Sequence, residues 1–228
     1  MKLIGSITLN NYLGGLNPDA VHASADLSEH PIIVWFPTIH AQNFLDKSEF
    51  EVPPEWVQRP DFKARKSKDI IPVSVIENGK ITEQTRKVLE AIKAKGAILA
   101  TGHITWREAE ILAREALKMG IKTILTHPIY QRIDMPADVQ KKLADMGAYP
   151  ETCHSMHFID KIPMEKIAAQ IKEIGPKKFI LSSDVGQAFN KSPSEALEEF
   201  ANLLLKQGIS KEDLKIMMVD NPKKLITK

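Results

Sequence analysis

The sequence predicts an α/β protein built on a parallel sheet, and three observations carry that prediction. Six short apolar runs each precede a helical segment, in strict strand-then-helix order. Polar side chains able to do chemistry stand where those runs end. Neither a Gly-x-Gly-x-x-Gly turn after the first run nor a Gly-x-x-x-x-Gly-Lys-Ser/Thr segment occurs, which weighs against nucleotide binding. Such alternation builds either a (β/α)8 barrel or an open doubly wound sheet.

Residues 3–10 read as the first strand, short and rich in branched side chains. Gly14-Gly15-Leu16-Asn17-Pro18 then turns the chain, with Asn17 as cap and Pro18 at the first position of a helix. The near-continuous apolar run 31–39 suits a strand buried on both faces. Residues 40–69 differ in kind: polar, with Pro53, Pro54 and Pro60, and basic at Lys63, Arg65, Lys66 and Lys68. So long a stretch without periodicity predicts a lid or a disordered loop. Asn78-Gly79 predicts a tight hairpin within 71–81. The chain thus reads as one domain, 1–228, with a loop and hairpin insertion at 40–81.

After the insertion the alternation is regular. Helices are expected at 82–95, 106–119, 136–146, 163–174 and from 193 to 207, with strands at 97–103, 123–127, 148–153 and 179–184. Thr105 with Glu108, and Ser192 with Glu195, stand in capping-box spacing. A last short helix begins near Ser210.

Composition narrows the function. Of 228 residues 43% are hydrophobic and 26% charged, the balance of a globular protein with a sizeable core. Lys and Arg number 31 against 29 Asp and Glu, a net charge of +2, which removes the electrostatic case for nucleic acid or an anionic membrane. The single cysteine, Cys153, excludes a disulfide framework and fits a reducing compartment. With no basic-then-apolar leader in the sequence, a cytoplasmic location is expected.

Both candidate folds put function at the carboxyl ends of the strands. Three residues each end a clean apolar run: His103 after Thr-Gly, His127 after Thr, and Asp184 after Ser-Ser. Two imidazoles and a carboxylate at one mouth form a site for a single divalent ion, zinc foremost, with manganese, iron or cobalt as alternatives. Asp184 is placed to act as base as well as ligand. Glu108, Glu151 and Gln187 are candidates for orienting substrate. His154 and His157 are expected in a loop, as surface histidines, and Cys153 as a small packed side chain.

The order Trp35-Phe36-Pro37-Thr38, Thr101-Gly102-His103, Thr126-His127-Pro128, Ser182-Ser183-Asp184-Val185-Gly186-Gln187 and Asn221-Pro222-Lys223-Lys224-Leu225 resembles an uncharacterised branch of the amidohydrolase superfamily, the DUF6282-type proteins. The resemblance covers nearly the whole chain. It implies a metal-dependent hydrolase of an amide, ester or related bond in a small molecule, on a TIM-like barrel. His103, His127 and Asp184 match the residues of its strands five, six and eight, and the Asn-Pro segment a terminal packing element. The chain departs from that pattern in having no His-x-His pair, and Thr38-Ile39-His40 where a bridging lysine is common. Six βα units would then correspond to barrel strands three to eight, leaving the barrel incomplete. Open edges predict a homo-oligomer. The rival expectations are an inactive barrel remnant that binds a small molecule or serves as a subunit, and a phosphoesterase of similar build.

Overall fold

A computed structural model describes residues 3–57, 59, 61–187 and 189–227; Pro60 of the proline-rich stretch lies outside them. The first strand, β1, spans Ser6–Thr8, and α1 follows over Pro18–Asp26 with the Asn17 carboxamide accepting from the amides of Asp19 and Ala20. Then come β2 (Ile33–Trp35), α2 (Gln42–Leu45), the hairpin β3 (Ile76–Glu77) and β4 (Lys80–Ile81), and α3 (Glu83–Lys95). Next are β5 (Ile98–Ala100), α4 (Trp106–Lys118), β6 (Thr123–Leu125), α5 (Ala137–Asp145) and β7 (Tyr149–Cys153). The chain continues through α6 (His154–Phe158), α7 (Met164–Ile174), β8 (Ile180–Ser182), α8 (Pro193–Lys206) and α9 (Lys211–Lys215). A π-helical turn, Ile216–Asp220, leads into α10 (Asn221–Ile226).

The sheet has six strands in the order β1-β2-β5-β6-β7-β8, all parallel. Strand order equals chain order, whereas a doubly wound sheet reverses at a switch point. With right-handed crossovers, an unreversed order keeps every helix on one face and curls the other inward. The fold is therefore a partial TIM-like barrel of six βα units.

Alternation along the strands separates the two faces. Val34, Leu99, Leu125 and Leu181 point outward into the main core beneath the helices, against side chains such as Leu89, Leu112, Ile171 and Phe200. Ile98, Ala100, Ile124 and Ile180 point inward, packed with Ile33, Trp35 and Tyr149. Leu225 joins this inner cluster, and Ile226 packs against it. The polar contacts of α10 fall just ahead of β6 and β8, at Lys122, Pro176 and Phe179, so this helix closes the amino-terminal end of the barrel. Asn221, fully buried, donates to the carbonyls of Pro176 (3.2 Å) and Phe179 (2.7 Å). The Lys122 ammonium donates to three carbonyls at the end of α10, those of Lys224, Leu225 and Thr227.

Both predicted capping boxes form, at Thr105/Glu108 and Ser192/Glu195. Asn78 and Gly79 adopt the left-handed conformations that a two-residue hairpin loop needs. Most strands are shorter than their apolar runs. Beyond the ladder the chain turns sharply, with positive φ at Gly102, His127 and Asp184, and pairing stops there.

The 40–69 segment corrects an expectation. Its described residues are anchored, not a loose lid: Phe44 and Leu45 are buried, and Phe50 bridges to Lys66. At its centre Glu51, 3% exposed, receives the Arg65 guanidinium, the Tyr12 hydroxyl (2.7 Å) and His40 Nε2 (2.5 Å). The polar composition that suggested a loop is spent on this buried junction.

Candidate metal centre

The ends of β5 and β6 are stitched together by threonines. Thr126 Oγ1 accepts from the Gly102 amide (2.9 Å) and Thr101 Oγ1 from the Thr126 amide (3.0 Å). Gly102, at φ 68°, lies so close to β2 that a Cβ there would sit 2.3 Å from the Phe36 carbonyl oxygen. Only glycine fits, and the turn it makes carries the next residue across the barrel mouth. There His103 Nε2 lies 2.9 Å from His127 Nε2. Phe44 stacks on the His103 ring, and Tyr130 lies 5.7 Å from both imidazoles, centroid to centroid.

His103, His127, Asp184 and Gln187 all line one pocket of about 290 Å³ at the carboxyl ends of the strands. Burial pushes the His103 imidazole down to about 3, reinforced by His127 and opposed by Asp184. Burial likewise holds His127 down, to about 4. Both rings are neutral near pH 7, the form in which imidazole binds a metal. Asp184 keeps contact with solvent at the rim, where the Ser155 hydroxyl donates to its Oδ2 (2.8 Å). The two imidazole nitrogens are spaced to share a divalent ion, while Asp184 stands farther out on the same pocket and does not group with them within 4.8 Å. Two nitrogens each about 2.0–2.1 Å from one ion lie roughly 2.9–3.4 Å apart, depending on the angle between them.

Two expected orienting residues stand elsewhere. The Glu108 carboxylate is taken up by the amide and hydroxyl of Thr105 in the α4 cap, so it is not a substrate group. Glu151 faces the barrel interior behind His127: its Oε1 accepts from Ser182, and its Oε2, buried and unpartnered, lies 3.9 Å from His127 Nδ1. Cys153 Sγ, fully buried, is 3.8 Å from the same nitrogen. Donor atoms of His127, Glu151 and Cys153 all fall within 4.8 Å of one another, a second, closed cluster on the far side of the ring. Burial, with Asp184 adding to it, pushes the Glu151 carboxyl up to about 7 against the pull of Ser182.

His154 is no surface histidine. It begins α6 directly after β7, is 2% exposed, and meets Glu199 of α8 at 2.8 Å. The basic 63–68 cluster stays outside the pocket; Arg65 and Lys66 pair with Glu51 and Glu49. Sequence reasoning missed Trp35, Trp56, Tyr130, Ser155 and Asp160, which also line the pocket. Only Trp35, at the end of an apolar run, carried any signal of its place.

Residues 1–151 match the model of a family of unknown function, DUF6282. The chain belongs to this family. No curated protein matches it by sequence. In fold, this DUF6282 protein is similar to an amidohydrolase from Pseudomonas aeruginosa, at 11% identity and TM-score 0.57, covering 92% of this chain and 67% of the other. It is also similar to a phosphotriesterase homology protein from Escherichia coli, solved with phosphate in its active site (17% identity, TM-score 0.50, 97% of each chain). A third is an N-acetyl-D-glucosamine-6-phosphate deacetylase from Mycobacterium smegmatis (16%, TM-score 0.52, 99% of this chain and 65% of the other). At these identities the likeness is one of fold, and it agrees with the partial barrel of the DUF6282 chain. No helix among the described residues is long and apolar enough to cross a membrane.

Proposed function

We propose that this DUF6282 protein is a metal-dependent hydrolase of the amidohydrolase type, acting on an amide, ester or related bond of a small molecule. The observation that carries the reading is the pair of neutral imidazoles, Nε2 to Nε2 at 2.9 Å, facing a pocket that also holds Asp184. His103, His127 and Asp184 would hold one divalent ion, zinc first, with manganese, iron or cobalt as alternatives. Such an ion supplies Lewis acidity toward the scissile group. Asp184 takes a proton from the attacking water and returns it to the leaving group, with the Ser155 hydroxyl steadying Oδ2. Gln187, on the pocket wall, offers an amide to orient substrate.

Metal analysis of protein purified without chelator tests this, beside His103→Ala and Asp184→Asn and an amide and ester panel run after metal addition. Near-stoichiometric divalent metal in the parent, lowered in both variants, supports the reading; metal-free protein in every preparation overturns it. Ligand binding with no turnover of any panel member would instead favour the inactive binding module. The phosphoesterase alternative finds no support in the charge of the pocket, which no Lys or Arg lines among the described residues.

A further inference from the structure

The pocket's walls differ in chemistry, and the difference bears on what enters it. Trp35, Trp56 and Tyr130 offer flat apolar faces. Asp160, just past the end of α6, adds a carboxylate that is half-buried in the same wall. Among the described residues that carboxylate has no hydrogen-bond or ion-pair partner. The cation nearest in influence, Arg132, is engaged elsewhere: its guanidinium lies 4.8 Å from the Phe44 ring centroid and bonds to Ser48. A carboxylate in a partly dry cavity without a counter-ion is a standing cost, relieved by a cation brought in from outside. Aromatic faces favour a cationic or flat apolar group and do nothing for an anion.

We infer that the pocket selects a small substrate with a flat apolar body and a protonated amine or amidine, the cation seated on Asp160 and the body against Trp35, Trp56 and Tyr130. The inference rests on the hydrolase reading for the bond that reacts, and it names the class of molecule that carries that bond. The volume of about 290 Å³ sits at the small end of ligand pockets, which limits the body to about one ring with a short substituent. Burial holds the Asp160 carboxyl up, to about 6, with Arg132 pulling it down and Asp184 adding to the rise, so it is largely ionised near neutrality. Phosphorylated and carboxylated substrates meet two carboxylates, Asp160 and Asp184, and are disfavoured.

Three probes of similar size decide the matter: benzylamine, benzyl alcohol and benzoate, titrated calorimetrically and by tryptophan fluorescence into chelated protein, so that metal coordination does not enter. Benzylamine is expected to bind at least about tenfold more tightly than benzyl alcohol, with benzoate weakest. In Asp160→Asn the benzylamine advantage falls to about twofold or less while benzyl alcohol binds as before, which also shows the pocket intact. Benzoate as the tightest probe overturns the inference. So does a benzylamine preference that survives Asp160→Asn, or one lost only in Asp184→Asn. Metal content is read separately. A metal-loaded protein that prefers benzoate after chelation removes the amine selectivity and leaves the hydrolase, whereas a metal-free protein that takes benzylamine through Asp160 does the reverse.

Discussion

His127 presents a different nitrogen to each side of the barrel mouth. Nε2 faces His103 and the pocket; Nδ1 faces Glu151, whose Oε2 has nothing else to accept from. A carboxylate behind a ligating imidazole favours the tautomer that keeps its proton on Nδ1 and frees Nε2. Glu151→Gln is therefore expected to lower metal affinity about 10- to 100-fold, measured by competition with a chromophoric chelator. An unchanged affinity would show that Glu151 only fills space. At this scale the placement of His103, His127 and Asp184 on one pocket was legible because each breaks an apolar run at a strand end. Glu108 misled because one spacing serves both a cap and a site, and the cap claims the carboxylate. Asp160 and Trp56 were silent, since they reach the pocket from segments with no periodicity and only the tertiary path brings them in.

The elements tell a similar story. Helices α4 and α8 announce themselves through their capping boxes, and the Asn78-Gly79 hairpin through its turn chemistry. The five residues of α6 have too little length to show a period, which left His154 in an expected loop. The anchored 40–69 segment was opaque for another reason. Its stability comes from a buried ionic junction whose members, Tyr12, His40, Glu51 and Arg65, are scattered along the chain. Burial alone would raise the Glu51 carboxyl, but hydrogen bonds from Arg65, Tyr12 and His40 outweigh it and hold the group down to about 2, from its ordinary 4.5. A depressed carboxyl stabilises the fold above its unfolded value and loses that contribution as pH falls through the folded one. Glu51→Gln should thus cost on the order of 2 kcal/mol at pH 7 in urea unfolding. The gap between variant and parent should close between about pH 5 and pH 2. A gap independent of pH would mean the junction acts through shape and not charge.

For the molecule as a whole, strand order was the deciding fact. Alternation in the sequence allowed a barrel or a doubly wound sheet, and the unreversed order, with inward apolar side chains of β2, β5, β6, β7 and β8 in one cluster, selects the barrel. Pairing partners across a parallel sheet leave no local mark in the chain, which is why sequence stopped short of that choice. Six strands leave β1 and β8 each with one unpaired side among the described residues. An unpaired strand presents backbone donors and acceptors to any neighbour, and exposed Leu3, at 80%, lies just ahead of β1. We expect self-association through the β1 edge. Light scattering after size exclusion should give a mass above the 25.6 kDa monomer, reverting toward it when Ser6→Pro removes an edge donor. A monomer at every concentration would count against it.

The plug at the base of the barrel sets a timetable for biosynthesis. Because α10 follows every strand in the chain, the inward apolar residues of β2, β5, β6, β7 and β8 stay wet on the ribosome until the segment from Asn221 has cleared the exit tunnel. A nascent chain stalled before that point would display an unsealed apolar lumen, a ready target for chaperones and proteases, so only molecules carrying their stopper would escape early destruction.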